Sequence, residues 1–432
     1  MSQRTAFINA RLIDPDSGLD TVGGLLVDGS TIADVGPRLF NDGKPAGASI
    51  IDCRGEVLAP GLIDLRVFTG EPGAEHRETL ASAGESAVAG GVTTFAMMPV
   101  TDPVIDDAAL VDFIKRRAAA TSKVNILPTA ALTHGLKGAV MSEIGLLKEA
   151  GAIAFTDADR SIASTLIMRR CLTYAANFDA LVMAHAEDPA LAGAGHMNES
   201  SLAARMGIGG IPAAAEAIII ERDMRLVELT GARYHLGQVS CAASLDIIAR
   251  AKARGLPVTC AVSAHHLVLN ENDVGEYKTF AKVSPPLRSE DDRMAMVEGV
   301  RTGVIDAIVS SHDPQAPETK RIPFAQAAYG AVGLETLLAA ALTLHHEAGM
   351  PIIEVMRRLT INPAKLLRIE AGRLAKAAPA DLVLFASGTP KKIDPVTFRS
   401  RSKNSPFRGR LLQGEVLRTM VAGKSVFEAG TR

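Results

Sequence analysis

At 432 residues the chain is long enough for one large barrel with a satellite domain, or for two domains. Its 47% hydrophobic and 22% charged residues are those of an ordinary globular protein. A formal net charge of -2 excludes a broad basic face for nucleic acid, and the lack of Trp with only 4 Tyr removes the platforms on which single-stranded binders stack bases.

The cysteines, Cys53, Cys171, Cys241 and Cys260, are far apart, so no CxxC metal or redox motif is present. Reduced thiols are expected at this size. The first residues lack the basic-then-apolar pattern of a signal peptide, and no apolar run reaches the about 18–20 residues of a membrane span. A cytoplasmic protein without membrane or nucleic-acid partners is expected.

Residues 1–56 read as short strands and turns, with strands at 6–12, 23–27, 31–35 and 50–53. Asp28-Gly29 is a hairpin signal between the second and third. This unit is too small to bury its own core.

From 57 to 368 apolar strands alternate with helical segments. Strands are expected at 58–68, 92–99, 124–131, 152–157, 181–187, 234–240, 258–263 and 307–311. Helices are expected at 79–89, 108–120, 242–254 and 325–346. Eight strand-then-helix units in series predict a (β/α)8 barrel, an α/β fold whose strands are covered on the outside. Gly207-Ile208-Gly209-Gly210 does not follow a strand with dinucleotide-binding spacing and reads as a flexible loop.

Residues 369–432 return to β, with strands at 381–385, 411–417 and 419–426 and a turn near Ala422-Gly423. The two chain ends are expected to complete each other as one small β-sandwich. Arg399, Arg401, Lys403, Arg408 and Arg410 form a basic run, read as a solvated loop, with contact to an acidic partner surface as the alternative.

Several segments carry chemistry in a fixed order. Pro60-Gly61-Leu62-Ile63-Asp64-Leu65 enters the first barrel strand, followed by Glu71-Pro72-Gly73 and Glu78-Thr79. Gly90-Gly91-Val92-Thr93-Thr94 with Met98-Pro99, Ala154-Phe155-Thr156-Asp157 and His185-Ala186-Glu187-Asp188 come next. Ser284-Pro285-Pro286-Leu287-Arg288, Gly333-Leu334-Glu335-Thr336, Asn362-Pro363-Ala364 and Lys403-Asn404-Ser405-Pro406-Phe407 complete the series. The ordered set resembles dihydroorotases of the long-chain bacterial type, within the cyclic amidohydrolases. The resemblance implies a metal-dependent hydrolase barrel with a small β domain. It also implies reversible closure of carbamoyl aspartate to dihydroorotate, with a zinc-activated hydroxide as nucleophile and a strand-eight aspartate handling the proton.

The chain departs from that pattern where the chemistry sits. A catalytic zinc needs about three protein ligands and an open position. The family's His-x-His pair, which strand alternation aims at one metal, falls at Arg66 and Phe68. A guanidinium has no lone pair to give, and a benzyl ring is no donor. The strand-six histidine falls at Gln238 and the strand-eight aspartate at Ser311. Asp157 and His185 remain. The arginine and asparagine that bind the substrate carboxylate in the family fall at Gly70 and Val100. Arg288 is retained without an assigned role. His235 lies on the other strand face, and the pairs His265-His266 and His345-His346 do not chelate.

Arg66 is expected to occupy the metal's place and pair with Asp157, whose carboxylate is otherwise unpaired; the alternative is a guanidinium reaching solvent. The functional expectation is a non-catalytic dihydroorotase-like protein of pyrimidine biosynthesis with no cofactor. It would act as an oligomeric scaffold for the aspartate transcarbamoylase catalytic chain. The alternative is an active dihydroorotase or related cyclic-amide hydrolase. Its atypical zinc site would be rebuilt from Asp157, His185, His312 and Asp313.

Overall fold

A computed structural model of the chain describes residues 4–430, apart from Asp42 and Lys44. Both chain ends build one hydrogen-bonded set of eight strands. The N-terminal part supplies β1 (Arg4–Asp14), β2 (Leu19–Asp28), β3 (Thr31–Gly36), β4 (Ala48–Asp52) and β5 (Val57–Pro60). The β2–β3 hairpin turns at Gly29 and Ser30, as the Asp28-Gly29 pair predicts. The strand expected over 58–68 is two strands. β5 pairs with β1 in the terminal sheet, and β6 (Leu62–Val67) enters the barrel. Gly61 lies between them, and a Cβ there would lie 2.2 Å from the Thr93 side chain. The Pro60-Gly61 step therefore brings backbone against the second barrel strand and passes the chain between layers.

The barrel continues through β7 (Val92–Met97), β8 (Asn125–Pro128) and β9 (Leu181–His185). A two-residue pair, β10 (Met197–Asn198) and β11 (Gly210–Ile211), ties down the glycine-rich segment expected to be a flexible loop. Then follow β12 (Arg233–Gln238), β13 (Val258–Ser263) and β14 (Ala307–Val309). Neighbouring barrel strands run parallel in chain order, in the sets β6-β7-β8 and β9-β12-β13-β14. Two seams close the ring. Phe155 bridges Ala130 on one side and Val182 on the other, and Val67 bridges His312. The strand expected over 152–157 is thus reduced to a bridge at Phe155. Its end is fixed by Ala158, whose φ of 59° takes the backbone out of the extended region.

Helices cover the barrel's outer face. Residues Leu80–Ala89 start from a capping box of Thr79 and Ser82, and Ala108–Thr121 from the Asp107 side chain. The helix expected over 325–346 occupies only Leu337–His346. Gly330, at φ 113°, holds a conformation that a helix cannot continue through. The apolar cluster Ile63, Leu65, Ala154, Leu181, Met183, Ala261, Ala307 and Val309 gathers the barrel strands, with Ala364 and Leu367 packed against them.

The C-terminal part returns to the terminal sheet as β15 (Leu382–Lys392), β16 (Leu411–Val421) and β17 (Lys424–Glu428). β16 runs unbroken through Arg418 to the turn at Ala422-Gly423, longer than the sequence pattern implies. The basic run is bound into the fold. Arg399 lies over the Phe427 ring, Arg401 donates to Glu75 O, Lys403 to Phe398 O and Ser400 O, and Arg410 pairs with Asp273. Arg399, Arg401, Lys403 and Arg408 are nonetheless exposed, as the solvated reading expects.

Candidate functional site at the barrel mouth

The C-terminal ends of parallel barrel strands are where this architecture presents reactive side chains. β6 carries Asp64 and Arg66 to this end, and Phe68 follows, its backbone N–H donating to His312 O at 2.9 Å. Asp64 is fully buried and accepts backbone N–H groups from Arg66 (3.1 Å) and Ser310 (3.3 Å). Burial pushes its pKa up to about 6, against those hydrogen bonds. A raised folded-state pKa stabilises the fold below the unfolded value of 3.8 and loses that contribution as pH rises through about 6. Asp64→Asn should therefore flatten the fall in stability between those two pH values, read from urea midpoints.

Arg66 does not meet Asp157, and it does not reach solvent. Its residue is 4% exposed, and among the described residues its side chain makes one hydrogen bond, Nη1 to Ala158 O at 3.1 Å. The guanidinium lies over the Phe68 ring, Cζ to centroid 5.3 Å, so the two family ligand positions do share a face. Asp157 is instead taken by Thr133, whose backbone N–H (2.9 Å) and hydroxyl both donate to it. Burial raises the Asp157 pKa, and these hydrogen bonds oppose the rise. The expected ion pair is absent because a loop 24 residues earlier already satisfies the carboxylate.

His185 ends β9 and stands in register with Gln238 on β12. Burial, then the nearby Arg66 charge, brings the His185 pKa down to about 4, so the ring is neutral at pH 7. Among the described residues its Nδ1 has no partner, and neither does Oε1 or Nε2 of Gln238. Ser311 sits at φ 49°, a left-handed conformation just past β14.

His312 and Asp313 do not join Asp157 and His185 in one constellation. The His312 ring accepts at Nδ1 from Gly333 N (3.2 Å), and its Nε2 lies 3.5 Å from Glu78 Oε2. Asp313 pairs with Arg77 at 2.8 Å and accepts from Gln315 Nε2 at 2.8 Å. Burial lifts the Asp313 pKa to about 6, opposed by Arg77. Arg288 is consumed internally, donating to Ile211 O (2.6 Å), Asn198 Oδ1 (3.1 Å) and Ser240 Oγ (3.1 Å). Gly70 has φ 78°, and a Cβ there would lie 2.6 Å from Ala74 O, so this backbone does not accept the family's arginine. Val100 packs on Phe68, Met98 and Ala158 in a small apolar patch. His235 binds Thr259 Oγ1 at 2.8 Å, and His265 and His266 are buried in the short helix Ala264–Val268, consistent with structural roles.

Two features escaped the sequence reading. Glu78 and Glu335 clamp residues 399–401 onto the barrel: Glu78 accepts from Ser82, Ser400 and Arg401 N, and Glu335 from Ser86, Arg399 N and Ser400 N. Lys320 is buried with its ammonium on three carbonyls, Thr279, Lys282 and Ala328, and burial lowers its pKa to about 7. Glu78 was legible only as part of a motif, and nothing local marks Lys320.

The model of the family described as "Dihydro-orotase-like" matches residues 55–244. A protein of Ehrlichia canis named "Dihydroorotase" is 44% identical over 98% of this chain and 95% of its own length. The chain belongs to the dihydroorotase family. A second relative with the same name, from Anaplasma phagocytophilum, is 44% identical over 98% of this chain and 95% of its own. Among solved structures, an L-hydantoinase (dihydropyrimidinase) from Arthrobacter aurescens superposes with a TM-score of 0.89 at 26% identity, covering 100% of this chain and 97% of that one. A dihydropyrimidinase from Brevibacillus agri, at 20% identity and TM-score 0.85, supports the fold alone; it covers 99% of this chain and 95% of that one. No helix among the described residues is long and apolar enough to cross a membrane.

Family membership overturns the expectation of no cofactor, because relatives named dihydroorotase and hydantoinase neighbours belong to the metal-dependent amidohydrolases. Zinc is the ion to consider. The residues that this dihydroorotase-family chain places at the ligand positions do not fit it in the family's way. Arg66 brings a buried positive charge, Phe68 no donor atom, and Gln238 a neutral amide. Among the described residues no group of three or more His, Cys, Asp or Glu is placed to hold a metal ion.

Proposed function

We propose that this dihydroorotase-family protein does not close the dihydroorotate ring on its own, and that its barrel is a structural partner of the aspartate transcarbamoylase catalytic chain in pyrimidine biosynthesis. One observation carries the reading: the buried Arg66 guanidinium at the mouth, on Ala158 O and over Phe68, where family chemistry needs paired imidazoles. The dispersal of the other groups supports it. Asp157 is held by Thr133, Asp313 by Arg77, and His312 faces Glu78, so no base is aimed at a common reacting atom.

The test is carbamoyl-aspartate cyclisation by purified protein with zinc supplied, together with co-expression alongside the transferase of the same genome. The expected result is no turnover by the chain alone and co-elution with the transferase. Ring closure by the chain alone would overturn it.

A second reading is an active dihydroorotase, or a related cyclic-amide hydrolase, with an atypical zinc site. The names of the relatives favour this reading over the first; the side chains at the mouth favour the first. Under it, Asp157 and His185 stay at the reacting centre, and the same assay yields dihydroorotate without the transferase.

A further inference from the structure

We infer that the barrel mouth is a binding site for a small monocarboxylate, gripped by Arg66 with Gln238 beside it. The inference does not depend on whether the chain is catalytic. It starts from charge. An arginine does not shed its proton in a protein, so burial leaves Arg66 cationic. A buried cation without a counter-charge is strongly unfavourable. Among the described residues no carboxylate lies within ion-pair distance of Arg66; the charges of Asp159, Asp313 and Asp64 reach it only from further away. Asp64 is held by backbone N–H groups, Asp157 by Thr133 and Asp313 by Arg77.

Geometry then selects the ligand. Nη1 is used by Ala158 O and packs against Gly237, where a Cβ would lie 3.5 Å away. Nε is buried without a partner, and Nη2 makes no hydrogen bond among the described residues. The free edge of the guanidinium is therefore the one with two parallel N–H groups, which matches the two oxygens of a carboxylate. Gln238 is 2% exposed, and both polar atoms of its amide lack partners among the described residues. Its register neighbour His185 has an unpartnered Nδ1. Three buried side chains at one end of one barrel each keep at least one unpartnered polar atom among the described residues, which is uncommon because buried polar groups are normally paired.

The surroundings favour an organic acid over inorganic phosphate. Phe68, Met98, Ala158 and Val100 form an apolar wall beside the guanidinium, suited to the carbon part of a short acid. Exposed Asp159 adds a negative charge felt by Arg66, His185 and Asp313, which disfavours a dianion.

The full-length protein is titrated with propionate and, separately, with inorganic phosphate, by calorimetry and by thermal unfolding. Propionate should bind and raise the melting temperature, and phosphate at equal concentration should do neither. Arg66→Gln should weaken propionate about tenfold or more, and Gln238→Leu about three- to tenfold. Circular dichroism checks that each variant folds, and the Gln238 variant stands in if the Arg66 variant does not. Absence of propionate binding, equal binding of phosphate, or propionate affinity unchanged in the folded variants would each overturn the site. Turnover is not read, so failure here is separate from failure of the proposed function.

Discussion

Glu78→Ala is expected to destabilise the protein by about 3–5 kcal/mol, seen as a lower urea midpoint and melting temperature. The Glu78 carboxylate is fully buried, and it joins three distant parts of the chain. It takes hydroxyls from Ser82 and Ser400, the backbone N–H of Arg401 at 3.2 Å, and faces His312 Nε2 at 3.5 Å. Burial alone would raise its pKa, but the nearby His312 ring and the hydroxyls of Ser400 and Ser82 prevail and the pKa falls. Removing the carboxylate strands several buried donors at once. Ser400→Ala removes one hydroxyl and should cost about 1 kcal/mol. Equal midpoints for wild type and Glu78→Ala would mean that the C-terminal segment docks without this clamp.

Arg66→Met is expected to act in the opposite direction, raising stability by about 1–4 kcal/mol in buffer free of carboxylates. The guanidinium gives up hydration for one carbonyl hydrogen bond and a ring contact. An unbranched apolar side chain of similar length fills the same space without that penalty. Propionate should narrow the gap, because a ligand that binds only the folded wild type stabilises it by mass action. A lower urea midpoint for the variant would mean that the guanidinium is already fully compensated.

Much of this was legible beforehand, for specific reasons. The barrel was readable because its strands are buried on both faces and so appear as apolar runs, each followed by a helical segment. The loss of the paired imidazoles was readable because residue type alone decides whether an atom can donate to a metal. The partner of Arg66 was not readable. Asp157 was the nearest carboxylate by family position, yet Thr133 reaches it from another loop, and Ala158 offers its carbonyl to Arg66 across 92 residues of sequence. His312 likewise follows the strand-eight position but turns toward Glu78.

By itself, then, the sequence determined which chemical groups stand at each strand end: a cation, a ring and an amide where imidazoles were expected. It did so because side-chain identity is a local property, and so is the alternation that puts Arg66 and Phe68 on one face. Tertiary structure alone decided which groups satisfy one another. Ser400 meets Glu78 over a separation of 322 residues, a pairing that no local periodicity encodes. It also decided that Arg66 and Gln238 keep unpartnered atoms, because satisfaction depends on distances between elements that fold together only when the barrel closes.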